Sequence, residues 1–219
     1  MNFNKNILSL TILLPLFLVS CSSLKSQETS TPPSAEKSTK NLEDLSTAYF
    51  ASGCFWCVEA VYESVKGVEE AVSGYEGGHT DNPTYRAIGT GKTGHAEAVE
   101  VYYDPEVVSY NTLLKVFFGS GDPTTLNKQG PDRGTQYRSI IFYKNEEEKM
   151  QAEKMIAQKT ADKVFDNPII TEVIPHSKFY KAEDYHQDYE KLNPTNPYVR
   201  SVSIPRLKRF QAKFPELLK

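Results

Sequence analysis

Cysteine is scarce in this sequence: three in 219 residues, at positions 21, 54 and 57. Three are too few for a disulfide framework, which excludes a small cross-linked scaffold. An excess of either charge is also lacking. Twenty-five Lys and Arg stand against 28 Asp and Glu, for a formal charge of −3. No basic run lies among aromatics, so nothing here would hold a phosphate backbone, and nucleic acid is not expected as a partner. The four histidines, at 79, 95, 176 and 186, never adopt H-x-x-x-H spacing. C-x-x-C with scattered histidines is a weak zinc signal, so no metal and no cofactor are expected. No internal repeat is found. The chain is 39% hydrophobic and 24% charged, enough for one ordinary core and one folded domain.

The longest apolar run, residues 7–19, is interrupted by Pro15 and falls short of the roughly 18 residues that a spanning helix wants. With Lys5 before it, it matches the core of an export signal over residues 1–20. Leu18-Val19-Ser20-Cys21 resembles the bacterial lipobox, in which the cysteine is acylated and becomes the mature N-terminus. An ordinary signal peptide with a coincidental cysteine is the alternative. Residues 21–46 would then be the lipidated cysteine and a tether. Their Ser, Thr, Pro, Glu and Lys cannot bury enough apolar surface to offset the entropy of ordering. The expected location is the cell membrane or an outer membrane, with the folded domain, residues 47–219, outside the cytoplasm.

Within that domain, residues 47–51 read as a strand, Ser52-Gly53 as a tight turn, and Val58, Val61, Tyr62 and Val65 as a helix running toward Gly67. Cys54 then lies at the helix start, where free N–H groups and the macrodipole favour a thiolate. Residues 74–94 and 120–136 read as irregular loops. Strands are expected at 97–103, 137–143 and 169–174, and helices at 109–118 and 146–159, with a weaker one at 178–192. The pattern predicts an α+β fold.

Gly53-Cys54-Phe55-Trp56-Cys57 resembles the active-site signature of the A-type peptide methionine sulfoxide reductases. Further matches are Gly74-Tyr75-x-Gly77-Gly78, Asn82-Pro83-Thr84-Tyr85, Thr93-Gly94-His95-Ala96-Glu97-Ala98-Val99, Asp122-Pro123-Thr124, and the run from Gly130 through Asp132 to Tyr137-Arg138-Ser139. Phe179-x-x-Ala182-Glu183-x-Tyr185-His186-Gln187 closes the series, all in the family's order. The resemblance implies a two-layer sandwich with a mixed sheet and a ferredoxin-like core. It also implies reduction of methionine-S-sulfoxide, free or in proteins, as a repair of oxidative damage. It makes Cys54 the nucleophile, Glu97 the acid that protonates the sulfoxide oxygen, and Tyr85 and Tyr137 the hydrogen-bond donors to that oxygen. Phe55 and Trp56 would receive the substrate methyl, and Asp132 would support the pocket. Taken singly, each has a plainer reading: Glu97 a solvated strand residue, the tyrosines and aromatics packing residues.

Attack by Cys54 should leave a sulfenic acid, which must be reduced. Many relatives resolve it with a cysteine after an Asn-Pro-Tyr sequence; here Asn196-Pro197-Tyr198 is followed by Val199. With Cys21 acylated and distant, Cys57 is the remaining thiol, and a C-x-x-C across a helix's first turn can close a disulfide. Alternatively, Cys57 is a buried packing residue and an external thiol reduces the sulfenic acid directly. The expected reductant is thioredoxin-like, and a monomer is expected. Two other readings remain open: a thioredoxin-like disulfide oxidoreductase, and a lipoprotein binding module with structural cysteines.

Overall fold

Strand alternation organises the molecule. Along β1 (Ser46–Ser52), Ala48 and Phe50 enter one buried cluster while Tyr49 and Ala51 enter another, as side chains on opposite faces of a pleated strand must. In the computed structural model, which describes residues 41–219, β1 is followed by α1 (Phe55–Glu63), β2 (Val68–Glu76), α2 (Tyr85–Ile88) and β3 (Ala96–Tyr103). Next come α3 (Tyr110–Ser120), the two-residue strands β4 (Lys128–Gln129) and β5 (Asp132–Arg133), and β6 (Ser139–Tyr143). The chain ends with α4 (Glu146–Ala161), β7 (Glu172–Pro175), β8 (Tyr180–Lys181), α5 (Tyr189–Leu192) and α6 (Ile204–Lys213). The proposed signal and lipobox lie outside the described residues. The tether falls partly inside them: Leu42–Asp44 forms one 3-10 turn ahead of β1.

The main sheet runs β7-β6-β1-β3-β2-β8, antiparallel except for the parallel β6–β7 pair. Within it, β1-α1-β2-β3-α3-β6 is a βαββαβ unit with β6 and β3 flanking β1, the ferredoxin-like arrangement expected. Helices α1 and α3 cover one face, where Phe50, Tyr62, Leu113, Leu114 and Phe117 are sealed from solvent. Ile174 and Phe179 cover part of the other. Caps place the helices: Ser109 accepts from Thr112 N–H at the start of α3, and Asn145 from Glu148 N–H at the start of α4.

Several elements escape the pattern reading, among them α2 inside the first expected loop, β4 and β5 inside the second, and β8 where a weaker helix is expected; β2 and α6 are the longest. β2 covers residues 68–73, which the pattern reading leaves unassigned, and the start of the loop expected from Gly74, yet it lies between β3 and β8 in the sheet. Its register slips between Val68 and Glu70, which breaks the alternation, and Gly74 falls within it. A Cβ at Gly74 would stand 2.5 Å from the Tyr180 carbonyl oxygen, so the glycine is what lets β8 pair there. α6 follows one π-helical turn, Val199–Ser203, and ends before Phe214.

Burial gives the fold a pH signature. Glu59 on α1 accepts from Ser73 Oγ and Asp188 N–H, and burial pushes its carboxyl up to about 8; burial carries Glu63 up to about 7. A carboxyl raised on folding holds its proton in the native state after the unfolded chain has released it. Stability therefore declines as pH rises from about 5 to about 8, by at most about 1.4 kcal/mol per pH unit for each such group. Urea midpoints measured across that range should fall, and Glu59→Gln, which cannot ionise, should flatten the decline. An equally steep decline in the variant would remove Glu59 from the account.

Candidate active site

Gly53, at φ +80°, makes the turn out of β1 that a side chain would resist, and a Cβ there would stand 2.4 Å from Gln129 Cβ. The turn delivers Cys54 to the N-cap of α1, 6% exposed, where its carbonyl accepts from the Cys57 and Val58 N–H groups. Cys57 follows inside the first turn, 2% exposed, and both thiols are free.

On β3, Val99, Val101 and Tyr103 face the helix layer, so Glu97 at the same parity points toward the start of α1. Its Oε2 accepts from Phe55 N–H at 3.1 Å. Burial, with Asp132 and Cys57 adding to it against that hydrogen bond, raises the Glu97 carboxyl to about 8, so it is protonated at neutral pH. Helix position therefore does not by itself activate Cys54, contrary to the sequence expectation. The amide at the helix start is taken by Glu97, and burial, aided by Cys57 and Glu97, raises the Cys54 thiol well above its ordinary range. Cys57 moves the other way, lowered first by the hydrogen bond from Cys54 and then, against burial, by Arg206, Ser203 and Tyr198.

Tyr85 and Tyr137 arrive from separate loops. Tyr85 opens α2, its N–H donating to Glu183 Oε1 at 3.0 Å while Glu183 Oε2 accepts from Tyr75 O–H at 2.7 Å. Tyr137 ends a 3-10 turn, and Arg138 beside it donates to the Gly94 carbonyl at 2.9 Å, tying that turn to the approach to β3. Burial raises both phenols, to about 12 for Tyr85, and Glu97, Cys54 and Asp132 raise them further. Both stay neutral donors beside the thiol and the acid.

Phe55 is buried to 1% exposure with its ring against Tyr75, Tyr85 and His186, so it is a floor rather than an open wall. Trp56 is half-buried, stacked on Tyr189 at 3.7 Å. Its indole N–H donates to His186 Nδ1 at 3.0 Å, so the His186 proton sits on Nε2, 3.9 Å from Glu183 Oε2. Asp132 Oδ2 accepts from Tyr198 O–H at 2.6 Å, and that hydroxyl lies 3.9 Å from Cys57 Sγ. Asp132 thus reaches the thiols through Tyr198. Tyr198, Tyr189, His186 and Arg206 are the residues that sequence reasoning misses. Tyr198 and His186 stand in quoted motifs, which was their only signal.

Two of the other three histidines are engaged elsewhere: His95 with Gly78 and Thr80, His176 with Glu76. Among the described residues one carboxylate group, Glu59, Glu63 and Asp188, brings ligand atoms within 4.8 Å of one another.

The family model for peptide methionine sulfoxide reductase matches residues 46–218, which include every residue of this site. The chain belongs to that family. The reductase is 52% identical over 172 residues to the peptide methionine sulfoxide reductase MsrA of Pasteurella multocida, covering 78% of this chain and 98% of that one. It is 49% identical over 174 residues to that of Chromobacterium violaceum, covering 80% and 99%. Among solved structures, the reduced form of Mxr1 from Saccharomyces cerevisiae is similar with a TM-score of 0.65 and 34% identity, over 69% of this chain and 87% of that one. Methionine sulfoxide reductase A of Corynebacterium diphtheriae follows at 0.61 and 36%, over 68% and 74%. The reductase is therefore an MsrA-type oxidoreductase, and neither a disulfide oxidoreductase of the thioredoxin kind nor a binding module.

Proposed function

We propose that the reductase converts methionine-S-sulfoxide, free and in proteins, to methionine through a Cys54 sulfenic acid, which Cys57 then closes to a disulfide. The observation that carries this is Glu97: a protonated, buried carboxyl held against the amide that follows Cys54. A sulfoxide becomes electrophilic when its oxygen is protonated. Glu97 supplies that proton, and the Tyr85 and Tyr137 hydroxyls hold the oxygen. Trp56 over the Phe55 floor takes the methyl. As the Cys54 sulfur attacks, its proton passes to Cys57. Oxygen moves to Cys54 as the sulfenic acid, and methionine leaves with the electron pair that the Cys54 sulfur gives up. Cys57 then displaces the oxygen as water, forming the disulfide. Two electrons from a thioredoxin-like dithiol restore both thiols.

The chain is further read as an exported lipoprotein, acylated on Cys21 and held at a membrane with the catalytic domain outside the cytoplasm. Labelling cells with palmitate, with and without Cys21→Ala, tests that reading: unchanged labelling in the variant rejects the anchor.

Resolution by Cys57 has its own readout. Wild-type protein given sulfoxide and no reductant should release one equivalent of methionine and carry a Cys54–Cys57 disulfide in peptide maps. Cys57→Ser should release methionine but hold a sulfenic acid that dimedone traps. An intramolecular disulfide in Cys57→Ser would sink the assignment.

A further inference from the structure

Arg206, on α6, is 6% exposed and lies at the end of β1. Its guanidinium donates to the Ser120 carbonyl at 2.7 Å, the Ser52 carbonyl at 2.9 Å and Ser52 Oγ at 3.1 Å. All three acceptors are neutral, and among the described residues no carboxylate forms an ion pair with it. A buried cation without a counter-charge is costly, so an anion within reach is favoured. Arg206 and Cys57 line the same cavity of about 660 Å³, whose wall also carries Asp132. Asp122, Asp132 and Asp166 line that cavity too, none of them in an ion pair with Arg206, and Asp132 is engaged by the Tyr198 hydroxyl; Cys57 is the nucleophilic group that shares the cavity with the guanidinium. We propose that Arg206 is a positioning residue that holds Cys57 in its anionic, attacking form for closure of the disulfide, an inference that rests on the reading of Cys57 as the resolving thiol.

The groups facing Cys57 come from every side. Cys54 stands at the head of the same helix, Ser203 on the π-helical turn, Tyr198 on the preceding loop with Asp132 behind it, Glu97 on β3 and Arg206 on α6. Ser203 already donates its hydroxyl to Glu190, and Tyr198 to Asp132, so Arg206 is the formal positive charge in this set. The Arg206 charge acts to lower the Cys57 thiol, in keeping with its place in the cavity. Once the sulfenic acid has formed, Cys57 releases the proton it took up, favoured by that charge. Its sulfur attacks the Cys54 sulfur, the S–S bond forms as the S–O bond breaks, and the leaving oxygen takes up the proton as water. Three fixed acceptors, two backbone carbonyls and Ser52 Oγ, keep the guanidinium from swinging away to solvent.

The test follows Cys57 alone. In full-length Cys54→Ser, which keeps a hydroxyl donor at position 54, alkylation of Cys57 is read against pH by mass spectrometry of its own peptide, so that Cys21 does not interfere. The midpoint should lie well below the value of about 8.5 for a free thiol. It should rise by about one pH unit or more with Arg206→Gln and return toward wild type with Arg206→Lys. With Cys54 present, disulfide closure after one turnover should slow about tenfold at neutral pH in Arg206→Gln and recover in alkali. A midpoint at or above the free-thiol value in Cys54→Ser overturns the proposal with no Arg206 variant needed. So does a closed disulfide in Arg206→Gln with both midpoint and rate unmoved. If wild type forms no Cys54–Cys57 disulfide, the resolving role falls and takes this inference with it, and the midpoint still reports what Arg206 does to the thiol.

Discussion

Replacing Cys54 with serine should abolish methionine formation, with a loss on the order of 10⁴-fold or more in single-turnover rate. The side chain changes by one atom in a site that is 6% exposed, so the packing around it is expected to persist. What disappears is the atom that receives the oxygen. A serine hydroxyl cannot be oxidised to the equivalent of a sulfenic acid, and no other thiol replaces it: Cys57 is buried behind it in the first turn of α1. The assay is methionine released per enzyme from each sulfoxide epimer without reductant. Wild type should give one equivalent from the S epimer. Turnover in Cys54→Ser comparable to wild type would overturn the mechanism, whatever the state of Cys57.

The location of Cys54 is legible because an apolar run meets Ser-Gly and then an i, i+3, i+4 apolar series, which can only be strand, turn and helix. Its electrostatics are not legible. The favourable helix start is claimed by a carboxyl from β3, forty-two residues later in sequence than Phe55. That contact exists only because β1 and β3 pair side by side with Phe50 opposite Val99. Local patterns carry capping and periodicity; they carry nothing about which distant side chain reaches the cap first.

The same division holds elsewhere. β3 and α4 follow from alternation and from a capped amphipathic run, whereas β2 is hidden by its bulge and by a glycine whose use depends on β8. The C-terminal segment is read only for the cysteine it lacks. Folded, Val199 is fully buried, and Tyr198 before it sits between Asp132 and Cys57. A segment without the expected thiol still serves the thiols, through a phenol. Asp132 has no local mark either, since its place in the site is defined by a hydrogen bond to a residue 66 positions away.

Glu97→Gln should lower the rate of methionine formation about 10²- to 10⁴-fold with the fold retained. At neutral pH the native carboxyl is protonated, so glutamine replaces a neutral group with one of the same shape. Its carbonyl can still accept from Phe55 N–H. An amide, however, gives up no proton to a sulfoxide oxygen. The pH profile separates this from lost packing. In wild type the acid is present below about 8 and is lost as pH rises through that value, so single-turnover rates should fall there. In the variant that descent should vanish, leaving only the thiol's own rise with pH. If Glu97→Gln keeps near-wild-type rates and the same alkaline fall, another group supplies the proton, and the buried carboxyl serves only as the cap of α1.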